Sequence, residues 1–494
     1  MSLLKKLASD TAIYGVSYIL GRVLNYIALG FYLTHKVNEM DFAIYNDLYF
    51  YVALILIFLT FRMETTYFRF SKNNDSITTF TSSQVIILTL VTIWLILSLG
   101  WSASIASFLQ YPGQSRYIEV LAAIIALDAI IAVPFAKLRM ENRPVKFGLL
   151  KLGQILINIG MVIIFLEILP RLSTSGHEWV NVYYHPDDPI LDVFIANLIS
   201  SAMAFLVMIP SYVSFRIKKV NDSIFRMMKY AFPLVLVGIA GVVNQSSYIT
   251  LQKYNLVGDL SENLATAGVY AAAFKIALML SLFTTGFNFA AEPFFFQNSD
   301  RKDTRQIYAD VAKAYAIFAS LIILVIMMYI DWIPMVLGKN FRSGMEVAPI
   351  LLMAFFFLGL YYNFSIWYKI TDRTRFGTYI ALMGMFVTIG LSIVLLPIMG
   401  EIGSAWTALG CYMTMAMAAL FLGKKYYPIE YPIIQMLIYP IAALGLYYIA
   451  GYINFKLDSG QGLTFGINSL LILGFLWTLM KYEGKWLKTA LLRT

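Results

Sequence analysis

Cysteine is nearly missing from this chain of 494 residues: Cys411 is the single one. No intrachain disulfide and no multi-cysteine metal site can therefore form. Cys411 lies in an apolar run and reads as a small packing residue. Histidine is scarce as well. His35, His177 and His185 all fall between apolar runs, without metal-ligand spacing. The phosphate-cradling pattern GxxxxGK[ST] does not occur, so the chain carries no recognisable ATPase of its own. Charge is thin throughout. Asp, Glu, Lys and Arg make up 13% of residues, against about 25% in a soluble domain.

What fills the chain instead is apolar. Hydrophobic residues reach 60%, and the mean hydropathy is +0.71. A soluble core cannot absorb so much, but a bilayer can. A membrane span needs about 20 mostly apolar residues. Such runs occupy 11–33, 43–61, 81–103, 117–137, 147–169, 190–213, 230–251, 264–287, 314–336, 348–368, 376–398, 403–423, 432–452 and 463–480. The first run is too long and too interrupted for a cleavable leader, and reads as a retained span. The longest segment between runs, 170–189, has no room for a soluble domain of about 50 residues. Function must then reside within the helix bundle.

The formal net charge of +9 would suggest nucleic acid in a soluble protein. Here its placement points to topology. With the N-terminus inside, and basic residues near span ends counted with the adjoining loop, 28 of the 37 Lys and Arg fall on the inner side and 7 on the outer. That asymmetry predicts both termini in the cytoplasm. The basic run Arg216, Lys218, Lys219, Arg226 and Lys229 follows the same rule, and no nucleic-acid partner is expected.

The two halves echo each other. Phe42-Ala43-Ile44-Tyr45 matches Ala267-Gly268-Val269-Tyr270, Glu64 with Tyr67 to Phe70 matches Glu292 with Phe295 to Gln297, and Lys146-Phe147-Gly148 matches Arg375-Phe376-Gly377. The near-constant offset covers six spans, an even number, so both copies enter the membrane in the same sense. The expected architecture is an all-α polytopic membrane protein of about 14 transmembrane helices. Two parallel six-helix repeats (1–219 and 220–425) surround a central cavity, and two extra helices follow in 426–494.

Arg22 and Lys275 are left near mid-membrane, where each costs about 2.5–3.5 kcal/mol unless it faces protein or water. Tyr18 and Asn25 share the face of Arg22, and Asn288 follows Lys275 at the end of its span. Gly268, Ala271 and Ala272 beside Lys275 leave room for a ligand to approach. These residues form the candidate anion site of the cavity. Asp128 is either an ion or proton site or the partner of Arg22. Asn244 and Gln245, in a polar cluster with Ser246 and Ser247, either contact sugar hydroxyls or join helices by hydrogen bonds. Tyr361, Tyr362, Asn363 and Trp367 are a weaker aromatic signal, better suited to packing or an interfacial belt.

Four stretches resemble a known family. They are Arg62 to Phe70, Asp128 to Pro134 with Leu138 to Arg143, Gly268-Val269-Tyr270 through Glu292-Pro293-Phe294, and the Gly-rich Met399 to Ala408. The chain resembles the polysaccharide transporters, or O-antigen flippases, of the multidrug/oligosaccharidyl-lipid/polysaccharide flippase superfamily. The resemblance implies a non-enzymatic flippase in the cytoplasmic (inner) membrane. It would move an undecaprenyl-diphosphate-linked oligosaccharide outward by alternating access, for surface polysaccharide or lipopolysaccharide biosynthesis. Membrane lipids, a polymerase and glycosyltransferases are the implied partners, and no cofactor is required. Asp128, Glu64 and Glu292 are the ion-coupling candidates. A lipid II-type flippase and a multidrug exporter of the same superfamily are the alternatives. A multispan polymerase or ligase is disfavoured, since no large outer loop carries catalytic side chains.

Overall fold

The computed structural model describes residues 20–21, 23–71, 75–141, 143–177, 180, 182–215, 223–297 and 303–493. Its described elements are helical, and thirteen helices are long and apolar enough to cross a membrane. After a short apolar α1 (Val23–Leu33), these are α2 (Glu39–Phe70), α3 (Ser76–Gly100), α4 (Ser115–Met140), α5 (Pro144–Thr174), α6 (Pro189–Val213) and α7 (Ile224–Ser246). There follow α8 (Leu260–Gln297), α9 (Thr304–Met328), α10 (Lys339–Ile370), α11 (Arg375–Met399), α12 (Glu401–Tyr426), α13 (Ile433–Lys456) and α14 (Gln461–Arg493). Each of the last thirteen expected spans has its helix. Of the first, 11–33, the residues before 20 lie outside those described, so α1 is only its second half.

The helices gather into two compact units, residues 1–37 with 44–242, and residues 38–43 with 243–494. In the first, Ile131, Phe135, Leu138 and Met208 form a buried cluster sealed by Phe147, Leu150 and Phe205 of α5 and α6. Ile96, Leu149 and Leu206 point outward and are more than half exposed. In the second unit Phe386, Ile441 and Leu470 do the same. A helix apolar both toward its core and on its outer face suits a bilayer.

Pro134 lies inside α4. Proline has no N–H, so the carbonyl four residues earlier, at Ile130, loses its helical donor. Two side chains replace it. Gln84 Nε2 of α3 donates to Ile130 O at 3.2 Å, and Tyr212 Oη of α6 donates to the same oxygen at 2.7 Å. A proline break thereby ties three helices together. Tyr212→Phe is expected to cost about 1–2 kcal/mol, read as a lower unfolding midpoint in detergent; an unchanged midpoint would refute the bond's contribution.

In the second unit α8 approaches a neighbouring backbone closely at Gly268. A Cβ there would lie 1.9 Å from the Glu39 carbonyl oxygen and 2.7 Å from its carbon. The space beside Gly268 is thus filled by backbone and is not open to a ligand, which corrects that part of the sequence reading. Ala271 and Ala272 are likewise fully buried. Small residues here serve close helix approach. Gly268→Ala must separate two backbones, and should cost about 3 kcal/mol or more, visible as loss of monodisperse protein on size exclusion.

The ninth span also differs. It was expected at 314–336 but runs from Thr304 to Met328, and short 3-10 turns follow. The polar start of α9 is helical, and Lys313 within it is buried because its charge finds partners. Lys313 Nζ binds Glu483 Oε2 of α14 at 2.6 Å and lies 4.4 Å from the Trp486 ring. Trp486 Nε1 donates to Asp310 at 3.1 Å, and Tyr439 of α13 donates to the other oxygen of Glu483. Below this network Ile317, Leu324, Ala443, Phe475 and Leu479 pack into one apolar cluster.

Candidate functional site

α2 is interrupted where its apolar run ends. Phe61 and Arg62 both take left-handed backbone, with φ of 45° and 53°. Such conformations cost of order 1–3 kcal/mol each in non-glycine residues, and they concentrate at functional sites. The helix restarts at Met63, with Thr65 and Thr66 N–H donating to the Arg62 carbonyl. The break turns the Arg62 side chain toward α7. There the guanidinium rests against Gly238, where a Cβ would lie 2.5 Å from Nη2. Arg62 also pairs with Glu64 at 3.5 Å.

This break forms one wall of a cavity of about 560 Å³ within the first unit. Such a volume is typical of small-molecule sites. α4 contributes Asp128, Ile131, Phe135 and Arg139, spaced to share one helix face. α5 contributes Phe147, Lys151 and Gln154, and α1 contributes Asn25. Gln154 Nε2 donates to Asp128 Oδ1 at 3.3 Å, and its backbone carbonyl accepts from Ser200 Oγ at 2.6 Å. The Lys151 ammonium sits 4.0 Å from the centre of the Phe135 ring and acts electrostatically on Asp128. The Arg139 guanidinium stands 5.1 Å from Phe68 and 5.7 Å from Phe147. Three cations thus face two carboxylates, on aromatic and apolar walls. A net positive, partly desolvated cavity attracts an anion more strongly than bulk water allows.

Three of the expected residues meet here: Asn25, Glu64 and Asp128. Arg22 and Tyr18 lie outside the described residues. The sequence does not single out Lys151 and Arg139, because both stand near span ends and read with the inner loop. Lys151 stands seven residues after Pro144, already two turns into α5. Its position inside the 147–169 run was the signal available.

The other expected residues belong to the second unit. Lys275 is 5% exposed, with its ammonium 5.2 Å from the Phe42 ring. Asn288 is half-buried. Glu292 is exposed and pairs with Lys369 at 2.9 Å. Asn244 is buried in bonds between helices, donating to Ala381 O at 3.2 Å and accepting from Thr388 at 3.3 Å. Asn244 and Gln245 border a void of about 20 Å³ with Ser404 and Tyr412. A water fits such a space; a sugar ring does not. Trp367 is buried, its indole N–H donating to Ala419 O at 3.0 Å. Among the described residues no group of His, Cys, Asp and Glu is placed to hold a metal ion.

No protein-family model matches the sequence, and no curated protein matches it. Solved structures do. A lipid II flippase, MurJ in an inward closed conformation, is similar with a TM-score of 0.71 at 15% identity, covering 95% of this chain and 99% of that one. An inward-facing multidrug resistance MATE transporter of the MOP superfamily gives 0.64 at 13% identity, over 82% of this chain and 94% of that one. A eukaryotic MATE transporter gives 0.51 at 12%, over 89% and 98%. The chain therefore has the polytopic fold shared by MurJ and the MATE transporters.

Proposed function

We propose that this protein is a flippase that carries an undecaprenyl-diphosphate-linked oligosaccharide across the cytoplasmic membrane by alternating access. The observation that carries the reading is the cavity of Arg62, Arg139 and Lys151, built among membrane-crossing helices. A diphosphate cannot cross hydrocarbon unaided, and fixed cations in a wet cavity replace part of its hydration. By the charge asymmetry of the loops this cavity opens at the cytoplasmic end, where such a lipid-linked precursor would be loaded. The glycan follows the head through the bundle while the polyprenyl tail stays in the bilayer. Alternating access exposes this cavity first to one side of the membrane and then to the other.

A lipid II-type precursor flippase is the second reading, favoured by the MurJ-like fold over 95% of the chain. Both substrates present the same diphosphate. A multidrug exporter of cations fits less well, because a net positive cavity repels its cargo.

The test uses the purified protein in liposomes with two fluorescent substrates, a polyprenyl-diphosphate oligosaccharide and lipid II. Transbilayer movement of the first, and little of the second, is the expected result. The opposite preference would establish the second reading. Movement of neither, with accumulation of a cationic dye, would overturn both.

A further inference from the structure

At one end of the antiparallel pair α11–α12, four cations crowd a small aromatic group. The Arg373 guanidinium lies 4.7 Å from the centre of the Tyr426 ring, and Lys425 Nζ lies 5.6 Å from it. Arg375 stands 6.0 Å from Phe376, whose ring is 5.0 Å from Tyr426. Lys424 is exposed beside them. Among the described residues none of the four has a carboxylate at ion-pair distance. Lys36, Arg62, Lys313 and Lys369 each do.

The arrangement is built, not incidental. Trp367 stacks on Tyr426 at 5.7 Å and 20°, and it fits there because residue 423 is glycine. A Cβ at Gly423 would lie 2.9 Å from the indole. Asp372 takes left-handed backbone, φ 54°. The following Arg373 N–H is tied back to Tyr368 O at 2.8 Å, which aims its side chain across at α12. A helix C-terminus favours Lys424 and Lys425 on its own. It does not explain a strained turn that brings Arg373 onto the same ring. One turn further into the bundle, Tyr379 and Phe421 are 61% and 57% exposed. Each lies four residues from a cation, hence on the same helix face. In a bilayer this spacing would set the cations at headgroup depth and the exposed aromatics where acyl chains begin.

We propose that Arg373, Arg375, Lys424 and Lys425, gathered around Tyr426, seat the phosphate of an acidic phospholipid, one whose headgroup has no compensating ammonium. Basic pockets between membrane helices recognise such headgroups by charge and hydrogen bonding. The seat is separate from the transport cavity, and it does not depend on which cargo is moved.

The experiment is lipid binding to the full-length protein in mixed micelles, by native mass spectrometry and by thermal unfolding. Phosphatidylglycerol should be retained in preference to phosphatidylcholine and should raise the unfolding midpoint. The double variant Arg373→Gln with Lys425→Gln should lose that preference about tenfold while remaining monodisperse, since both side chains are exposed. Lys456→Gln, at the end of α13, should keep it. A double variant that retains the wild-type preference would overturn the proposal. So would a wild type that shows none, or a midpoint raised equally by inorganic phosphate. Should the double variant fail to fold, single Arg373→Gln gives the same decision.

Discussion

Lys151→Ala should reach the membrane in normal amount and lose at least about tenfold in glycolipid translocation. A charge-assisted hydrogen bond is worth about 1.5–3 kcal/mol, and Lys151 lines the cavity with its ammonium against the Phe135 ring and Asp128 acting on it electrostatically. Loss of transport alone would not separate a substrate contact from a structural one, because the alanine leaves Asp128 without its neighbouring cation. Asp128→Asn in the Lys151→Ala background makes the distinction. If Lys151 serves only to balance Asp128, removing both charges should restore transport. If Lys151 receives the diphosphate, the double variant stays inactive. Recovery to wild-type flux would sink the assignment. Asp128→Asn alone should leave substrate affinity equal or higher, since it removes a competing carboxylate; binding of the fluorescent substrate checks this.

The largest stability effect is expected in the second unit, at the pair that joins α9 to α14. Lys313→Ala or Glu483→Ala should each cost about 3–5 kcal/mol, because either one strands its partner in a buried place. The two side chains are 8% and 13% exposed. The double variant should cost clearly less than the sum, since it strands neither charge. Thermal unfolding of the four proteins in detergent measures the cycle. Additive losses would mean that the pair contributes nothing by pairing. The apolar cluster of α9, α13 and α14 lies beneath the pair, so early unfolding should begin with α14 leaving α9.

Thirteen helices were legible in advance because each needed only a long apolar run, and a bilayer makes such runs hard to mistake. Where the runs carried charge, legibility failed. Lys313 looked like the end of a loop, and α9 was therefore placed about ten residues late. Its burial depends on Glu483, 170 residues away, and no local pattern shows that. Lys151 is hidden in the same way, as a cation at the inner edge of its apolar run. Asp128 and Glu64 stood out as acidic residues in or beside apolar spans, and both line the cavity. The glycines were harder. Gly268 and Gly238 look alike in sequence, yet one admits a neighbouring backbone and the other the Arg62 guanidinium.

The carbonyl of Ile130 has a consequence for how this chain can change over generations. It accepts from Gln84 and Tyr212 only because residue 134 has no N–H. A mutation that replaces Pro134 restores a backbone donor and makes both side-chain donors redundant in a buried place. A mutation that removes Tyr212 or Gln84 first leaves the oxygen underserved. Either first step is a loss, which couples the three positions. Among descendants of this chain they should be found altered together or not at all.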